Sequence, residues 1–354
     1  MKNYNNYKIF FKIIILLLLL IYIIYILNNF FNVKIEFFNS KEDFIIQSEG
    51  MGYEWGGYKL KHIFEYVFNN KNIIIDLENK YKPDLVIKSH FGNREYNCPY
   101  ICWSGEAYRA QHKSYPPLCE INTIIINDQN IKSFYIPYGL WSEYTYDKFQ
   151  DRDTIDNFNS KKYDFGYIAS NCGQSIREDL FREIRNIYLQ NDNNNIDKIR
   201  SLGSCQHTHD DLKNYDREEW RSNDKIYRDY KFVFCSENQD LDGYITEKIF
   251  LGFLGKSIPI YYGTSRIKEY FNDKAFFYIN DYLNDNKTIA DIANILKNLA
   301  ADDSENGWKK YLREPVFHNN IEPELFKVVQ TPISIYGKEI GDFIRENYTY
   351  NKEK

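Results

Sequence analysis

The sequence predicts an α/β protein with parallel sheets, arranged as two domains behind an N-terminal transmembrane helix. Its 354 residues are enough for two domains of ordinary size. Short apolar runs of strand length alternate with segments of helical periodicity, as in sheets whose parallel strands are joined by helices. We expect an N-terminal tail with the transmembrane helix at residues 1–33 and a first α/β domain at 34–145. A linker at 146–160 leads to a second α/β domain at 161–330, and a C-terminal helix with its tail follows at 331–354.

An apolar run close to the N-terminus predicts the transmembrane helix. Residues 13–27 are all apolar or tyrosine, and with residues 9–11 they approach the roughly 20 residues that a membrane span needs. Lysines precede the run and the long polar part follows it, so the positive-inside rule places the bulk of the chain in the lumen or outside. A cleaved signal peptide is the alternative, but no small-x-small cleavage site follows the run. We therefore expect a type II signal anchor through residues 9–31.

Charge and cysteine content limit the remaining classes of protein. The formal net charge is −5, which argues against a nucleic-acid partner. The six cysteines include no C-x-x-C pair, so a zinc ribbon is not indicated. In a lumenal domain, one disulfide could form among the three cysteines between residues 98 and 119. The other three end predicted strands and are equally compatible with buried free thiols: Cys172, Cys205 and Cys235.

The first domain is predicted to contain one helix, at residues 60–68, and six strands, at residues 33–38, 72–76, 85–88, 100–103, 123–126 and 134–136. The strand at 100–103 leads through Ser104 and Gly105 to Glu106. A carboxylate at the end of a strand that faces a cleft can take a proton from a hydroxyl group. The alternative is a glutamate on a surface loop.

Residues 141–159 are polar and lack apolar periodicity, which is typical of a linker. Asp151 and Asp153, like Asp240 and Asp242, form D-x-D pairs, but such pairs arise by chance in loops rich in aspartate. His207 and His209 lack a third ligand at a fixed spacing. No metal site is predicted.

Arg177 is the first candidate residue of the second domain. A strand at residues 163–169 is followed by a helix at 176–188, and Arg177 lies in its first turn. A guanidinium can donate two parallel hydrogen bonds to phosphate oxygens. An ion pair with Glu178 or Glu183 is the alternative. A strand and turn follow at residues 199–205.

Residues 230–263 carry the most informative pattern, a strand, a polar loop, a helix and a second strand. Such a βαβ unit has its ligand crevice beyond the carboxyl ends of the strands. Asn238 follows the first strand and can bond to a sugar, while Glu247 can accept from two neighbouring hydroxyls. Lys248 adds a positive charge near a helix N-terminus, which favours a diphosphate. Each of these residues, taken singly, could equally be a solvated surface residue.

Beyond residue 263 the sequence predicts helices at 267–271, 288–299 and 341–347 and a strand at 275–279. The last helix could pack back against the first domain. Asn286 and Asn347 begin glycosylation sequons, which matter only if the chain is lumenal.

The 230–263 segment resembles the nucleotide-sugar motif of the α1,3/α1,4-fucosyltransferases, glycosyltransferase family 10. The matching residues are Phe232, Glu237-Asn238, Gly243-Tyr244-Ile245-Thr246-Glu247-Lys248, Ile258-Pro259-Ile260 and Gly263. Outside it, Pro137-Tyr138-Gly139, Ser170-Asn171 and Arg177 also fit family segments. Gln239 stands where the family usually has serine, and Cys235-Ser236 replaces a more usual apolar pair.

This resemblance implies a glycosyltransferase-B architecture, in which two Rossmann-like domains face a cleft. It implies an inverting fucosyltransferase that moves fucose from GDP-fucose to a hydroxyl of an oligosaccharide or glycoprotein glycan, such as O3 of GlcNAc or Glc. Glu106, Arg177 and Lys248 would be catalytic, and the donor would bind Arg177, Asn238, Tyr244, Glu247 and Lys248. The resemblance implies no tightly bound cofactor, at most stimulation by Mn²⁺ or Mg²⁺, and a Golgi location.

Two other readings stay open at this point. Another nucleotide-sugar transferase of the same architecture would retain the diphosphate-binding groups but prefer a different base. A membrane-tethered glycan-binding protein without catalysis would retain the fold alone.

Overall fold

The computed structural model describes residues 42–50, 58–89, 92, 97–109, 116–137, 146–191, 193–215, 222–321 and 335–348. Within these residues, no helix is long and apolar enough to cross a membrane. The predicted membrane helix at 9–31 and the predicted strand at 33–38 lie outside the described residues, so they stay predictions.

A six-stranded sheet organises the first half of the chain. Its strands follow the spatial order β2-β1-β3-β4-β5-β6, and every neighbouring pair is parallel. Helix α1 (Tyr58–Val67) packs on this sheet, as does the last helix of the chain, whose Ile340 and Ile344 are buried in the same core. The predicted return of the C-terminal helix is therefore confirmed. The strands are β1 (Glu42–Glu49), β2 (Lys71–Ile75), β3 (Leu85–Ser89), β4 (Tyr100–Ser104), β5 (Glu120–Asn122) and β6 (Ser133–Tyr135).

A second, five-stranded sheet organises the rest of the chain. It has the order β11-β10-β9-β7-β8, and its neighbouring pairs are all parallel. Side chains of the central strand β9 alternate between two cores, with Val233 on one face and Phe232 and Phe234 on the other. Burial on both faces explains why this strand reads as an apolar run. The strands are β7 (Tyr163–Tyr167), β8 (Ile199–Ser201), β9 (Tyr230–Phe234), β10 (Ile258–Tyr261) and β11 (Phe277–Tyr278).

Helices cover both faces of this second sheet. The longest are α3 (Ser175–Asn191), which follows β7, and α8 (Ile289–Ala301), which begins with a capping box between Thr288 and Asp291. The remaining helices are α2 (Ile155–Ser160), α4 (Asn223–Tyr227), α5 (Glu247–Leu254), α6 (Ile267–Tyr270), α7 (Ile279–Asn284), α9 (Lys309–Arg313) and α10 (Ile335–Asn347).

Three strand predictions need correction. Strand β1 lies between β2 and β3 in the first sheet but was not predicted, because polar residues flank its short apolar run. Tertiary contacts satisfy those polar residues; for example, Gln47 donates to Asp76 at 3.0 Å. The strand predicted at 123–126 is instead β5, three residues earlier. The strand predicted at 275–279 is reduced to β11, and Ile279 begins helix α7.

The residues predicted to link the domains contain structure of their own. Helix α2 and a 3₁₀ turn at Tyr146–Phe149 lie within them, and Phe149 belongs to a core of the second sheet. The buried guanidinium of Arg152 donates to the carbonyls of Ser257 and Ala275 at 3.0 and 3.3 Å. This segment therefore packs on the second half. The division into two domains at 146–160 stays a prediction.

Candidate active site

The carboxyl ends of β7, β8 and β9 border a cleft of about 500 Å³. Its walls come from the loops after these strands and from the first turns of α3 and α5, the positions where parallel α/β sheets bind ligands. The cleft brings together predicted site residues that are far apart in sequence: Arg177, Asn238, Glu247 and Lys248. Polar neighbours in its walls include Ser170, Asn171, Ser204, His207, Asn223 and Ser236.

Arg177 lies buried in the first turn of α3, with 3% of its surface exposed. Its Nε donates to the hydroxyl of Tyr167 at 3.0 Å, and its other nitrogens donate to the carbonyl of Asn171 and to Oδ1 of Asn238. A carboxylate oxygen of Glu178 lies 3.7 Å from Nε, so the ion pair considered from the sequence is also present. The guanidinium is thus held at the cleft wall mainly by neutral oxygens.

Asn238 and Glu247 place acceptor groups beside this cation. Asn238 comes four residues after β9, and its Oδ1 accepts from Arg177 at 3.5 Å. Glu247 is the first residue of α5, where a carboxylate is stabilised by the helix dipole. Its Oε1 lies 3.7 Å from Nζ of Lys248. Both side chains border the cleft and can bond to ligand hydroxyls.

Lys248 is anchored by a carboxylate to which the sequence assigned no role. Glu237 is fully buried at the end of β9. Its Oε2 accepts from Nζ of Lys248 at 3.3 Å and from the hydroxyl of Thr246 at 2.6 Å. Burial raises the pKa of Glu237, and the nearby Lys248 opposes that rise. The position of Glu237 between an apolar strand and Asn238 could have indicated a role for it. Its partners could not be read from the sequence, because they lie nine and eleven residues further along the chain.

Tyr244 and Glu106 form a contact between the two halves of the chain. The hydroxyl of Tyr244 donates to Oε2 of Glu106 at 3.5 Å. Glu106 is half-buried, and burial raises its pKa against the opposing charge of Lys248. Tyr244 is itself 1% exposed and is not among the residues that line the cleft. Tyr244 therefore contacts Glu106 but does not border the cleft with the other four predicted donor-binding residues.

The loop that precedes Tyr244 is joined to the first sheet by backbone groups. The amide of Ile125 donates to the carbonyl of Asp242 at 2.9 Å, and the hydroxyl of Tyr135 donates to the carbonyl of Gly243 at 2.9 Å. Gly243 has φ +86°, and a Cβ at this position would lie 2.5 Å from the Tyr135 ring. Only glycine fits here without strain. We call these contacts, Ile125 with Asp242 and Tyr135 with Gly243, the seam. The seam fixes the distance between Glu106 and the second half.

A disulfide joins two loops of the cleft wall. It links Cys172, after β7, to Cys205, after β8. The two loops meet because the amide of Cys205 donates to the carbonyl of Ala169 at 3.0 Å. The disulfide considered possible among Cys98, Cys102 and Cys119 is not formed, since none of these three cysteines belongs to a disulfide. Burial raises the pKa of Cys98 to about 11 and that of Cys102 to about 12, so both stay protonated.

His207 borders the cleft and is held by two contacts. Its Nδ1 lies 2.9 Å from the carbonyl of Gly203, and its Nε2 lies 2.9 Å from Asp210. The hydrogen bond with Asp210 raises the pKa of the imidazole. In the part of the chain that the structure describes, no three His, Cys, Asp or Glu side chains are grouped as metal ligands.

Solved structures define the class of this fold. It is similar to an α1,3-fucosyltransferase crystallised with GDP-fucose, at a TM-score of 0.57 and 17% identity, over 89% of this chain and 93% of that one. A structure of α1,3-fucosyltransferase with GDP matches at a TM-score of 0.54 and 18% identity, over 86% of this chain and 91% of that one. The α/β fold with two parallel sheets is therefore similar to that of glycosyltransferase-B fucosyltransferase structures.

The family follows from the sequence of the second half. Residues 158–324 match the family model described as glycosyltransferase family 10 (fucosyltransferase) C-term. This part of the chain is therefore a glycosyltransferase family 10 domain. The alpha-(1,3)-fucosyltransferase FucT of Helicobacter pylori is 29% identical over 124 residues, which cover 35% of this chain and 22% of that protein. The GDP-fucose protein O-fucosyltransferase 3 of Danio rerio is 31% identical over 151 residues, 41% of this chain and 30% of that protein. The chain thus spans less than a third of the length of these two relatives.

Proposed function

We propose that this chain transfers L-fucose from GDP-fucose to a hydroxyl group of a glycan, with inversion at the anomeric carbon. One observation carries the proposal. Two cations, Arg177 and Lys248, border one cleft of a family 10 domain, and Glu106 approaches the same motif from the other half. The proposal needs a diphosphate site and a base on opposite sides of one sugar, and these residues supply both.

The cleft has the chemistry for the donor. The guanidinium of Arg177 and the ammonium of Lys248 would stabilise the negative charge that develops as the diphosphate leaves. Because both are fixed by hydrogen bonds, little reorganisation is needed during the reaction. Glu247 can accept from the two ribose hydroxyls, and Asn238 can bond to either sugar. No step requires a bound cofactor, and Mn²⁺ or Mg²⁺ would be at most stimulatory.

Glu106 has the chemistry of the general base. Its pKa is raised by burial, which makes its carboxylate a better proton acceptor at neutral pH. An acceptor hydroxyl beside Glu106 would attack the anomeric carbon from the face opposite GDP. That direction of attack inverts the configuration. Replacing Lys248 by Ala should lower turnover by at least tenfold, and near-parental turnover would contradict its role.

The finer assignments rest on the resemblance and on the relatives. We propose an α1,3 linkage, to O3 of GlcNAc or Glc, because the Helicobacter pylori relative is named as an alpha-(1,3)-fucosyltransferase. We further propose that the chain is a type II Golgi membrane protein, anchored by residues 9–31, with its catalytic part in the lumen. The Danio rerio relative, named as a protein O-fucosyltransferase, makes a protein hydroxyl the second candidate acceptor.

The test measures GDP release by the full-length chain in detergent. The chain is incubated with GDP-fucose and a panel of oligosaccharide, glycopeptide and peptide acceptors, with and without EDTA. We expect release that depends on an acceptor and is lost in Glu106→Ala. Competition by GDP, UDP and CMP identifies the base, and preference for UDP would instead indicate another nucleotide-sugar transferase. GDP binding without release on any acceptor would favour a glycan-binding role.

A further inference from the structure

The fully buried carboxylate of Glu237 connects three groups at the start of α5. Its Oε1 accepts from the backbone amide of Thr246 at 2.7 Å, and its Oε2 accepts from the Thr246 hydroxyl at 2.6 Å. The same Oε2 accepts from Nζ of Lys248 at 3.3 Å, and that Nζ also donates to the Thr246 hydroxyl at 2.9 Å. Lysine, threonine and glutamate thus close a ring of three hydrogen bonds.

This ring changes what Thr246 does for the helix. Thr246 occupies the N-cap position, where a threonine hydroxyl normally accepts from an amide of the first turn. Here its side chain makes no capping bond: the hydroxyl donates to Glu237 and accepts from Nζ of Lys248 instead of from an amide of the first turn. Thr246 therefore does not cap the backbone amides in the first turn of α5. Glu247 and Lys248, which belong to that turn, border the cleft.

The ring also restricts Lys248. A lysine side chain has high rotational freedom, and an exposed ammonium is a poorly positioned charge. Lys248 keeps 25% of its side chain exposed, while Thr246 and Glu237 engage two of its three N–H donors. The remaining donor is available to a ligand in the cleft. Ordering the ammonium before the ligand arrives removes an entropic cost from binding.

We propose that Glu237 is the positioning residue of the cation site: it diverts Thr246 from capping α5 and holds Lys248 in place for an anionic group of the donor. The inference rests on the proposed function, because it names the residue that prepares the same site. Glu237 itself does not line the cleft. It acts on the ligand through Lys248 and the start of α5.

The charges around Lys248 determine the expected pH dependence. Burial lowers the pKa of Lys248, and so does Arg177, but Glu247 and Glu237 outweigh them, so the pKa is raised above its ordinary value. Glu106 faces the same ammonium from the first half. Removing the charge of Glu237 removes one of the two carboxylates that raise the pKa of Lys248. The pKa of Lys248 should therefore fall, so that Lys248 loses its proton at lower pH. A purely structural role for Glu237 would not move this titration.

The main test uses Glu237→Gln in the full-length chain. GDP affinity is measured between pH 6 and pH 10, together with kcat and KM for GDP-fucose. We expect at least tenfold weaker GDP binding at pH 7 and an alkaline loss of binding that begins at least one pH unit below that of the parent. Glu120→Gln is the matched control, since Glu120 is equally buried but pairs with Arg109 in the first sheet. The control should leave the pH profile unchanged.

A second pair of variants covers the case in which Glu237→Gln does not fold. Thr246→Val breaks the ring but keeps every charge, so GDP binding should weaken at least fivefold, and Thr246→Ser, which restores the hydroxyl, should recover most of it. Binding by Glu237→Gln or Thr246→Val that matches the parent across the pH range would overturn the proposal.

A third measurement separates this inference from the proposed function. Competitive acetylation of lysines, read by peptide mass spectrometry as a function of pH, reports the pKa of Lys248 without any nucleotide. If the parent binds no GDP, the proposed function fails, but Lys248 should still titrate lower in Glu237→Gln. An unchanged Lys248 titration would overturn the positioning role by itself.

Discussion

Replacing Gly243 by Ala should separate the two halves of the site without damaging the donor cleft. The new Cβ would lie 2.5 Å from Cε2 of Tyr135 and 3.1 Å from Cγ1 of Ile125, at a residue with φ +86°. A left-handed conformation costs a non-glycine residue about 1 kcal/mol or more. Moving the Tyr135 ring adds about 1–3 kcal/mol. Losing its hydrogen bond to the Gly243 carbonyl adds about 1 kcal/mol.

These terms sum to about 3–5 kcal/mol if the backbone cannot relax. The loss should appear both as a lower free energy of unfolding in urea and as a lower turnover number. Because Tyr244 follows directly and contacts Glu106, displacement of the seam by about 1 Å is expected to lower kcat about 100-fold. GDP affinity should change less than threefold, since Arg177 and Lys248 both belong to the second half.

A double-mutant cycle isolates the part of this effect that depends on the Tyr135 side chain. Tyr135→Ala removes the ring that the new Cβ would meet, so adding Gly243→Ala to it should cost only the backbone strain. We expect a coupling energy of about 2–4 kcal/mol between the two substitutions, because the steric cost and the cost of the lost hydrogen bond both disappear once Tyr135 is replaced. Additive losses, or a Gly243→Ala protein with parental kcat and stability, would refute the assigned packing at the seam.

Three further predictions concern other parts of the second half. Arg177→Lys should weaken GDP binding at least tenfold by calorimetry, because an ammonium cannot replace the forked guanidinium; equal affinity would exclude bidentate binding. Replacing Cys172 and Cys205 together by Ser removes a cross-link over 33 residues, so it should lower the free energy of unfolding by about 3–4 kcal/mol and weaken GDP binding. An unchanged urea midpoint would show that the cross-link contributes nothing. Burial, reinforced by Arg152, lowers the pKa of Lys161 from 10.5 to about 7. Between these two pH values the folded chain binds fewer protons than the unfolded chain, so the free energy of unfolding should rise with pH. In Lys161→Met this rise should be smaller, and an identical slope in both proteins would contradict the shift.

The second half could be predicted well from its sequence, because local and tertiary requirements coincide there. The central strand β9 is buried on both faces and contains the apolar run Phe232–Phe234, and the loop after β9 carries its polar residues at family spacing. Four of the five predicted donor-binding residues line one cleft: Arg177, Asn238, Glu247 and Lys248. Parallel strands place their carboxyl ends at the same edge, so this convergence follows from the order of elements.

The first half was less predictable, because distant partners compensate for its polar residues. Strand β1 contains Gln47, whose amide is satisfied by Asp76 and by the carbonyl of Tyr81. Strand β5 begins with the fully buried Glu120, which is neutralised by Arg109 at 2.8 Å. Periodicity cannot reveal such strands, since a buried charge reads as exposed until its partner is known.

By itself, the sequence determined the fold class, the strand–loop–helix–strand unit at residues 230–263 and four of the residues that border the cleft. These features can be read from spacing along the chain, because residues in one helical turn or at the end of one strand are close in sequence as well as in space. Only the tertiary structure decided that Cys172 pairs with Cys205, that Tyr244 contacts Glu106 and that Glu237 holds Lys248. The first two contacts join loops from different strands, so they depend on how the strands are ordered and how the two halves meet at Gly243. The third joins the two ends of the loop between β9 and α5, so it depends on how that loop folds back on itself.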